Sequence, residues 1–222
     1  LGHLNYAQKY ADTLKEFVKK EVVTDLKTFS SIELTNLSTG FNSVDEILEN
    51  SSTVYLKNYG KGQLATLSIR GNGSSQTQLF WNGFKMNPPT LGQSDLSLIP
   101  AFFVSDILLN YSGASTVNGS GGIGGSLNLE NKLNWQKGFH GNIGKEYGSF
   151  TNSTSTFSLG YGGKKLFMNF KALTRKGKND FEFIDISKQN RPKIKQTNNE
   201  LSQYGLQYEF GYQLNTENLL QG

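Results

Sequence analysis

Between Tyr204 and Leu214 every second residue is aromatic or aliphatic: Tyr204, Leu206, Tyr208, Phe210, Tyr212 and Leu214. The residues between them are Gly205, Gln207, Glu209, Gly211 and Gln213. A period of two places all six apolar groups on one side of an extended chain and none of them on a helical stripe, so this segment must be a strand with one apolar and one polar face. Weaker copies of the pattern stand upstream. Phe139, Ile143 and Tyr147 oppose His140, Asn142 and Glu146, and Phe157, Leu159 and Tyr161 alternate with Thr156, Ser158 and Gly160. Leu166, Met168, Phe170 and Ala172 form a further set that Phe167 and Leu173 interrupt.

The connections carry as much information as the strands. The second and third sets are joined by Gly162-Gly163-Lys164-Lys165, a tight turn, and the third and fourth by a long polar stretch, Lys176–Glu200. Tight turns at one end and long loops at the other are the arrangement of a membrane-spanning antiparallel barrel. Residues 138–222 are therefore expected to supply about four such strands. A soluble β-sandwich produces the same alternation, so the strand pattern alone leaves both open.

Composition fits either all-β or β-rich folds. Among 222 residues there are 25 Gly, 15 Phe and 10 Tyr, no Cys, and only 2 Met and 4 Pro. Without cysteine there is neither a disulfide framework nor a thiolate metal site. The formal charge of +4 is spread along the chain, with no basic stripe or nucleic-acid motif, so no nucleic-acid partner is expected. No apolar run is long enough for a membrane-spanning helix, which leaves barrel strands untouched.

The first 130 residues obey a different grammar. Residues 1–20 carry Leu4, Ala7, Ala11, Leu14 and Val18 at helical spacing. Residues 21–130 are expected to form a mixed α/β unit with short helices, and 131–137 a linker. Within that unit, Val22–Leu26 reads as a strand, Ser30–Ser38 as a helix, and Val44–Glu49 as a helix opened by a Ser43/Glu46 capping box. Thr53–Tyr59 is extended, Gly60–Gly62 turns, and Ala65, Leu67 and Ile69 alternate with Thr66, Ser68 and Arg70 as a half-buried strand. Gln76–Trp81 and Phe84–Met86 flank Asn82-Gly83, whose tolerance of positive φ marks a two-residue hairpin. Phe103–Tyr111 and Ser126–Leu129 are further extended segments.

Gly119, Gly121 and Gly124 satisfy the dinucleotide spacing G-x-G-x-x-G, but Ser126–Leu129 alternates like a strand where a helix would have to receive the pyrophosphate. His3 and His140 have no ligand-spaced partners, and Asp45 and Glu46 fit a helix start better than acid–base work. No catalytic constellation, metal site or cofactor is expected, and the chain reads as a non-enzyme.

Taken in order, Ile69-Arg70-Gly71, the Leu79–Asn87 hairpin, Asp95–Pro100, Val104–Ser115 and Asn118–Leu129 resemble the plug domain of TonB-dependent outer-membrane transporters. The resemblance implies an α+β plug, a small mixed sheet with short helices, followed by antiparallel transmembrane β-barrel strands. About four strands cannot close such a barrel, so the barrel is expected to be incomplete in this chain and the chain to be a piece of a longer protein. In the family, plug arginines bond barrel glutamates; Arg70 with Gly71 keeps one such lock position, while Tyr111 stands at the second. The upward plug loops that touch ligand correspond to Asn58, Tyr59, Lys61 and Gln63, and to Asn87, Pro88, Thr90, Leu91 and Gln93.

The resemblance is strongest to the vitamin B12 branch, with ferric-siderophore receptors next. It implies a receptor in the bacterial outer membrane importing a large scarce nutrient. The implied partners are a TonB-type inner-membrane energy-coupling complex, outer-membrane lipid and a surface lipoprotein. A convincing energy-coupling strand before the plug is missing. Two alternatives therefore stay open: a plug-bearing subunit that occludes or gates another channel, and a soluble β-sandwich binding module.

Overall fold

Two five-stranded sheets account for most of the described strands. The computed structural model describes residues 29–33, 43–60, 62–111, 124–133, 135–215 and 218–222. The helix expected in residues 1–20 and the strand expected at Val22–Leu26 lie outside the described residues.

The first sheet is built from β1 (Phe29–Glu33), β4 (Thr77–Trp81), β5 (Phe84–Lys85), β6 (Asp106–Asn110) and β7 (Gly125–Glu130), in the order β1-β6-β7-β4-β5. Only β4 and β7 run parallel; the other pairs are antiparallel. A separate ribbon pairs β2 (Tyr55–Asn58) with β3 (Ala65–Ser68). The helix α1 (Val44–Ser51) packs Val44, Ile47 and Leu48 into a core completed by Leu67, Ile69, Leu79, Leu96, Ile107, Leu109, Leu127 and Leu129. Burial of these aliphatic side chains, each worth roughly 1.5–3 kcal/mol, is the main force holding the unit together.

Local chemistry explains the turns. Asn82 and Gly83 adopt φ of 48° and 83° between β4 and β5, the two-residue hairpin expected from their side chains. Gly125 opens β7 at φ 128°, with Asn110 O so close that a Cβ would collide with it. The glycine-rich stretch thus leads into a strand and not a helix, which removes the dinucleotide reading.

Two expectations need correction. Ser30–Glu33 belong to strand β1, not to a helix: they pair residue for residue with Leu109–Asp106 of β6, and that long-range ladder overrides a weak helical spacing. Ser43 does cap α1 in an extended conformation, but its side chain makes no capping hydrogen bond, so the box does not form. Glu46 points instead towards Arg175. The alternation at Ala65–Ser68 is also hidden, since Ala65, Thr66 and Leu67 are all buried.

The second sheet is an up-and-down meander of β8 (Gly138–Gly148), β9 (Asn152–Gly162), β10 (Leu166–Gly177), β13 (Leu201–Gln213) and the short β14 (Leu219–Gln221). It does not close. The connection between β10 and β13 carries its own hairpin, β11 (Glu182–Ile184) with β12 (Lys193–Lys195), while Ser149–Thr151 joins β8 to β9 as a short turn at that same end.

Register fixes which residues share a face. Tyr204, Leu206, Tyr208, Phe210 and Tyr212 stand opposite Thr174, Ala172, Phe170, Met168 and Leu166, which stand opposite Ser155, Phe157, Leu159 and Tyr161 where β9 reaches. This face is turned away from the first sheet: Phe139, Ile143, Tyr147, Tyr204 and Leu206 are 69–82 % exposed. Phe167 and Leu173, which broke the alternation in β10, have the opposite parity and are buried on the inner side, Phe167 against Trp135 with ring centroids 5.8 Å apart.

Candidate functional site

The inner face of the second sheet touches the first unit at three levels, and polar side chains carry two of them. Glu209 on β13 is buried and accepts from Asn169 Nδ2 at 2.8 Å, Lys171 Nζ at 2.9 Å and Asn131 Nδ2 at 3.1 Å. Asn131, just past β7, is the hub on the other side. Its Oδ1 accepts from Trp81 Nε1 at 2.6 Å and Asn82 Nδ2 at 3.2 Å, its backbone N–H donates to Asn82 Oδ1 at 2.8 Å, and its Nδ2 also donates to Phe103 O. A buried carboxylate tolerates this place because an ammonium and two amides replace its lost hydration.

Midway up β13, Gly205 faces the Phe103 ring, and a Cβ there would overlap it. Gln203, nearer the β10–β13 connection, donates to Leu98 O at 2.7 Å.

At the upper level Arg175 of β10 is 2 % exposed and points at α1, with Nη2 3.7 Å from Glu46 Oε1. Nη1 and Nη2 make no hydrogen bond with the protein, so this is a charge contact and not a fork. Asp45 is buried beside it, accepting from Asn58 Nδ2 at 3.2 Å. Burial pushes the Asp45 carboxyl above its ordinary value; the Ser43 hydrogen bond acts against this and the Glu46 charge adds to it.

Asn58 leads into the first loop named from the sequence. Its Oδ1 also accepts from Gly60 N at 2.8 Å, so both ends of the amide are engaged. Tyr59 is exposed, with Lys57 Nζ 5.1 Å from its ring centroid. Gln63 is exposed and donates to Asn199 Oδ1 in the long connection of the second sheet. Lys61 lies outside the described residues.

In the second loop Pro88, Thr90 and Leu91 are exposed. Asn87 has a different job: it accepts from Leu79 N at 2.7 Å and donates to Thr77 O at 3.1 Å and Gly92 O at 2.8 Å, which braces the loop. Gln93 accepts from Ser74 Oγ at 2.9 Å. Asp95, not singled out from the sequence as a site residue, joins the two loops: Oδ1 accepts from Ala65 N at 3.0 Å as well as from Ser97 N and Oγ.

Arg70 is exposed at φ 54° in the turn after β3, and no carboxylate among the described residues lies within ion-pair distance. Its neighbour Gly71 has φ 74° and open space around it. Arg175–Glu46 is the charged link that the described residues show across the seam, the cation on the strand and the acid on the enclosed unit, whereas Lys171–Glu209 joins two neighbouring strands of the wall. Sequence reading missed Arg175, Glu209 and Asn131. For Arg175 and Glu209 the available signal was a charged side chain at the inward parity of a barrel strand, where solvent cannot reach; Asn131, just past β7, carried no such signal.

A small α+β unit seated against the inner face of a strand meander, whose outer face is aromatic and aliphatic, defines a plugged membrane β-barrel. Residues 19–126 match the family model described as TonB-dependent Receptor Plug Domain. The vitamin B12 transporter BtuB of Vibrio vulnificus (strain YJ016) is 30 % identical over 118 residues, 52 % of this chain and 19 % of that protein. BtuB of Vibrio cholerae serotype O1 (strain M66-2) is 29 % identical over 133 residues, 60 % of this chain and 20 % of that protein. Among solved structures, the pyoverdine outer membrane receptor FpvA from Pseudomonas aeruginosa PAO1 superposes with a TM-score of 0.68 at 14 % identity, covering 87 % of this chain and 26 % of that one. The siderophore receptor PirA from Acinetobacter baumannii gives 0.61 at 19 % identity, covering 85 % of this chain and 30 % of that one. The chain belongs to the TonB-dependent outer-membrane transporters, as a plug followed by the opening strands of the barrel. It spans about a fifth of the length of the curated relatives it matches. Those relatives are transporters and receptors of the outer membrane.

Proposed function

We propose that the protein imports a large scarce nutrient, of the cobalamin or ferric-siderophore class, by plug rearrangement coupled to a TonB-type inner-membrane complex. The observation that carries this reading is the plug seam. One charged link, hydrogen bonds such as Asn131 to Glu209 and Gln203 to Leu98 O, and a glycine–phenylalanine contact hold the stopper to the wall, a set of contacts small enough to be rearranged by an external pull. The curated relatives named as vitamin B12 transporters support the cobalamin branch. On this reading Tyr59, Lys61 and Gln63, with Pro88, Thr90 and Leu91, offer hydroxyl, ammonium, amide and apolar groups to a ligand arriving from the long-loop end. Asn58, Asn87 and Gln93 position those loops from beneath, and Arg70 with Gly71 is a lock position awaiting a carboxylate from a later strand.

The test is uptake of radiolabelled cobalamin and of ferric siderophores by cells expressing the full-length protein, with and without the energy-coupling complex. Accumulation that requires both the protein and the complex supports the proposal. Accumulation of neither ligand class, or uptake indifferent to the complex, refutes it.

A further inference from the structure

Where the second plug loop returns to the core, the apolar packing is interrupted by hydroxyls. A cavity of about 10 Å³ lies there, lined by Leu79, Leu96 and Leu127 together with Ser74, Thr77 and Ser94. The hydroxyls come from three separate segments. Thr77 opens β4, Ser74 opens the short 3-10 turn Ser74–Gln76 before it, and Ser94 follows the loop residue Gln93.

Thr77 shares the parity of Leu79 on β4, so its side chain enters the core, and the residue is 5 % exposed. Thr77 Oγ1 and Ser94 Oγ are both shielded from solvent, and neither has a hydrogen-bond partner in the protein. Ser74 Oγ gives its proton to Gln93 Oε1 at 2.9 Å and keeps its lone pairs for another donor. Three hydroxyls with unused capacity thus border one small space. A buried polar group without a partner forfeits its hydration, which native folds rarely tolerate.

The geometry points to a bound water molecule as a fixed part of the plug, accepting from the Thr77 and Ser94 hydroxyls and donating to Ser74 Oγ. The volume holds one water, and three hydrogen bonds are the usual number for a buried one. The site lies at the returning root of the second loop, while Asn87 ties the other root to Leu79, Thr77 and Gly92. One end of the loop is therefore held by direct amide bonds and the other through an exchangeable solvent molecule. Slack is left at Ser94 and not at Asn87.

The test is a crystal structure of the full-length wild-type protein at a resolution that places waters, together with melting and limited proteolysis of Thr77→Val, Thr77→Ser and Ser94→Ala in detergent. A density peak bonded to at least two of the three hydroxyls is expected. Thr77→Val should lower the melting midpoint by about 2 °C. Thr77→Val and Ser94→Ala should each raise the rate of cleavage between residues 88 and 93 about threefold. Thr77→Ser keeps the hydroxyl and should keep both the water and the wild-type cleavage rate. A dry cavity makes the opposite prediction, because valine would then replace an orphaned hydroxyl by a methyl group and raise the midpoint. That rise overturns the site, as does a cavity without density or a peak that reaches only one hydroxyl. Cleavage unchanged in both Thr77→Val and Ser94→Ala overturns the water's hold on the loop.

Discussion

Replacing Glu209 by Leu should destabilise the inner face of the wall and remove its hydrogen bond to Asn131 of the seam. The Lys171 and Glu209 side chains are 14 % and 8 % exposed and 2.9 Å apart, so removing the carboxylate leaves an ammonium buried without its counter-charge. That situation costs about 3–5 kcal/mol. Asn131 retains Phe103 O as an acceptor for its Nδ2, whereas Asn169 loses the acceptor shown for its amide. The companion Lys171→Met should cost less, about 1–3 kcal/mol, because two amides still satisfy the carboxylate. Combining the two removes both charges and leaves mainly the Asn169 amide unsatisfied, so the double variant should lie within about 2 kcal/mol of wild type. The cycle predicts a coupling energy of at least about 2 kcal/mol. Urea unfolding of the full-length protein in detergent, followed by the emission of Trp81 and Trp135, reads the seam directly: Trp81 donates to Asn131 and Trp135 packs on Phe167. Costs that add to within about 0.5 kcal/mol would show that the pair does not couple, and the account of this buried wall pair would fail.

Gly205→Val drives a side chain into the Phe103 ring, and overpacking of this kind should cost about 1–3 kcal/mol in the same unfolding assay; an unchanged midpoint would mean the ring moves aside freely. Asn87→Ala removes three hydrogen bonds that brace the second loop, so about 1–3 kcal/mol of stability should go and cleavage by an added protease between residues 87 and 93 should rise. The Asp45 carboxyl is raised, so the folded protein takes up this proton before the unfolded chain does as pH falls. The penalty of ionised Asp45 is therefore full above the raised value and is relieved as pH drops towards 3.8, the ordinary value. Asp45→Asn should raise the melting temperature at neutral pH, with an advantage that shrinks towards acid; an advantage that grows there would reverse the assignment.

The strands were readable because their chemistry is local. A period-two face needs no knowledge of what lies opposite, and Tyr204 to Tyr212 announce theirs unaided. Asn82-Gly83 is legible for the same reason, since positive φ is a property of the two residues themselves. Ser30–Glu33 failed because their strand exists only through pairing with β6, which lies far along the chain. Ser43 and Glu46 matched a capping pattern, yet Arg175 lies near enough to draw the glutamate outward. Phe167 and Leu173 looked like noise in β10 but are buried on its inner side, Phe167 against Trp135. In each case the missing information was the identity of a neighbour distant in the sequence.

Arg175, Gln203, Gly205 and Glu209 all belong to β10 and β13, so the stopper is gripped by wall segments encoded directly after it. These contacts are long-range, Asn131 to Glu209 spanning 78 positions and Leu98 to Gln203 spanning 105, yet none of them needs a strand beyond β13. Biogenesis should therefore deliver cork and first staves to the membrane as a joined intermediate, with the later staves closing around an occupant already in position.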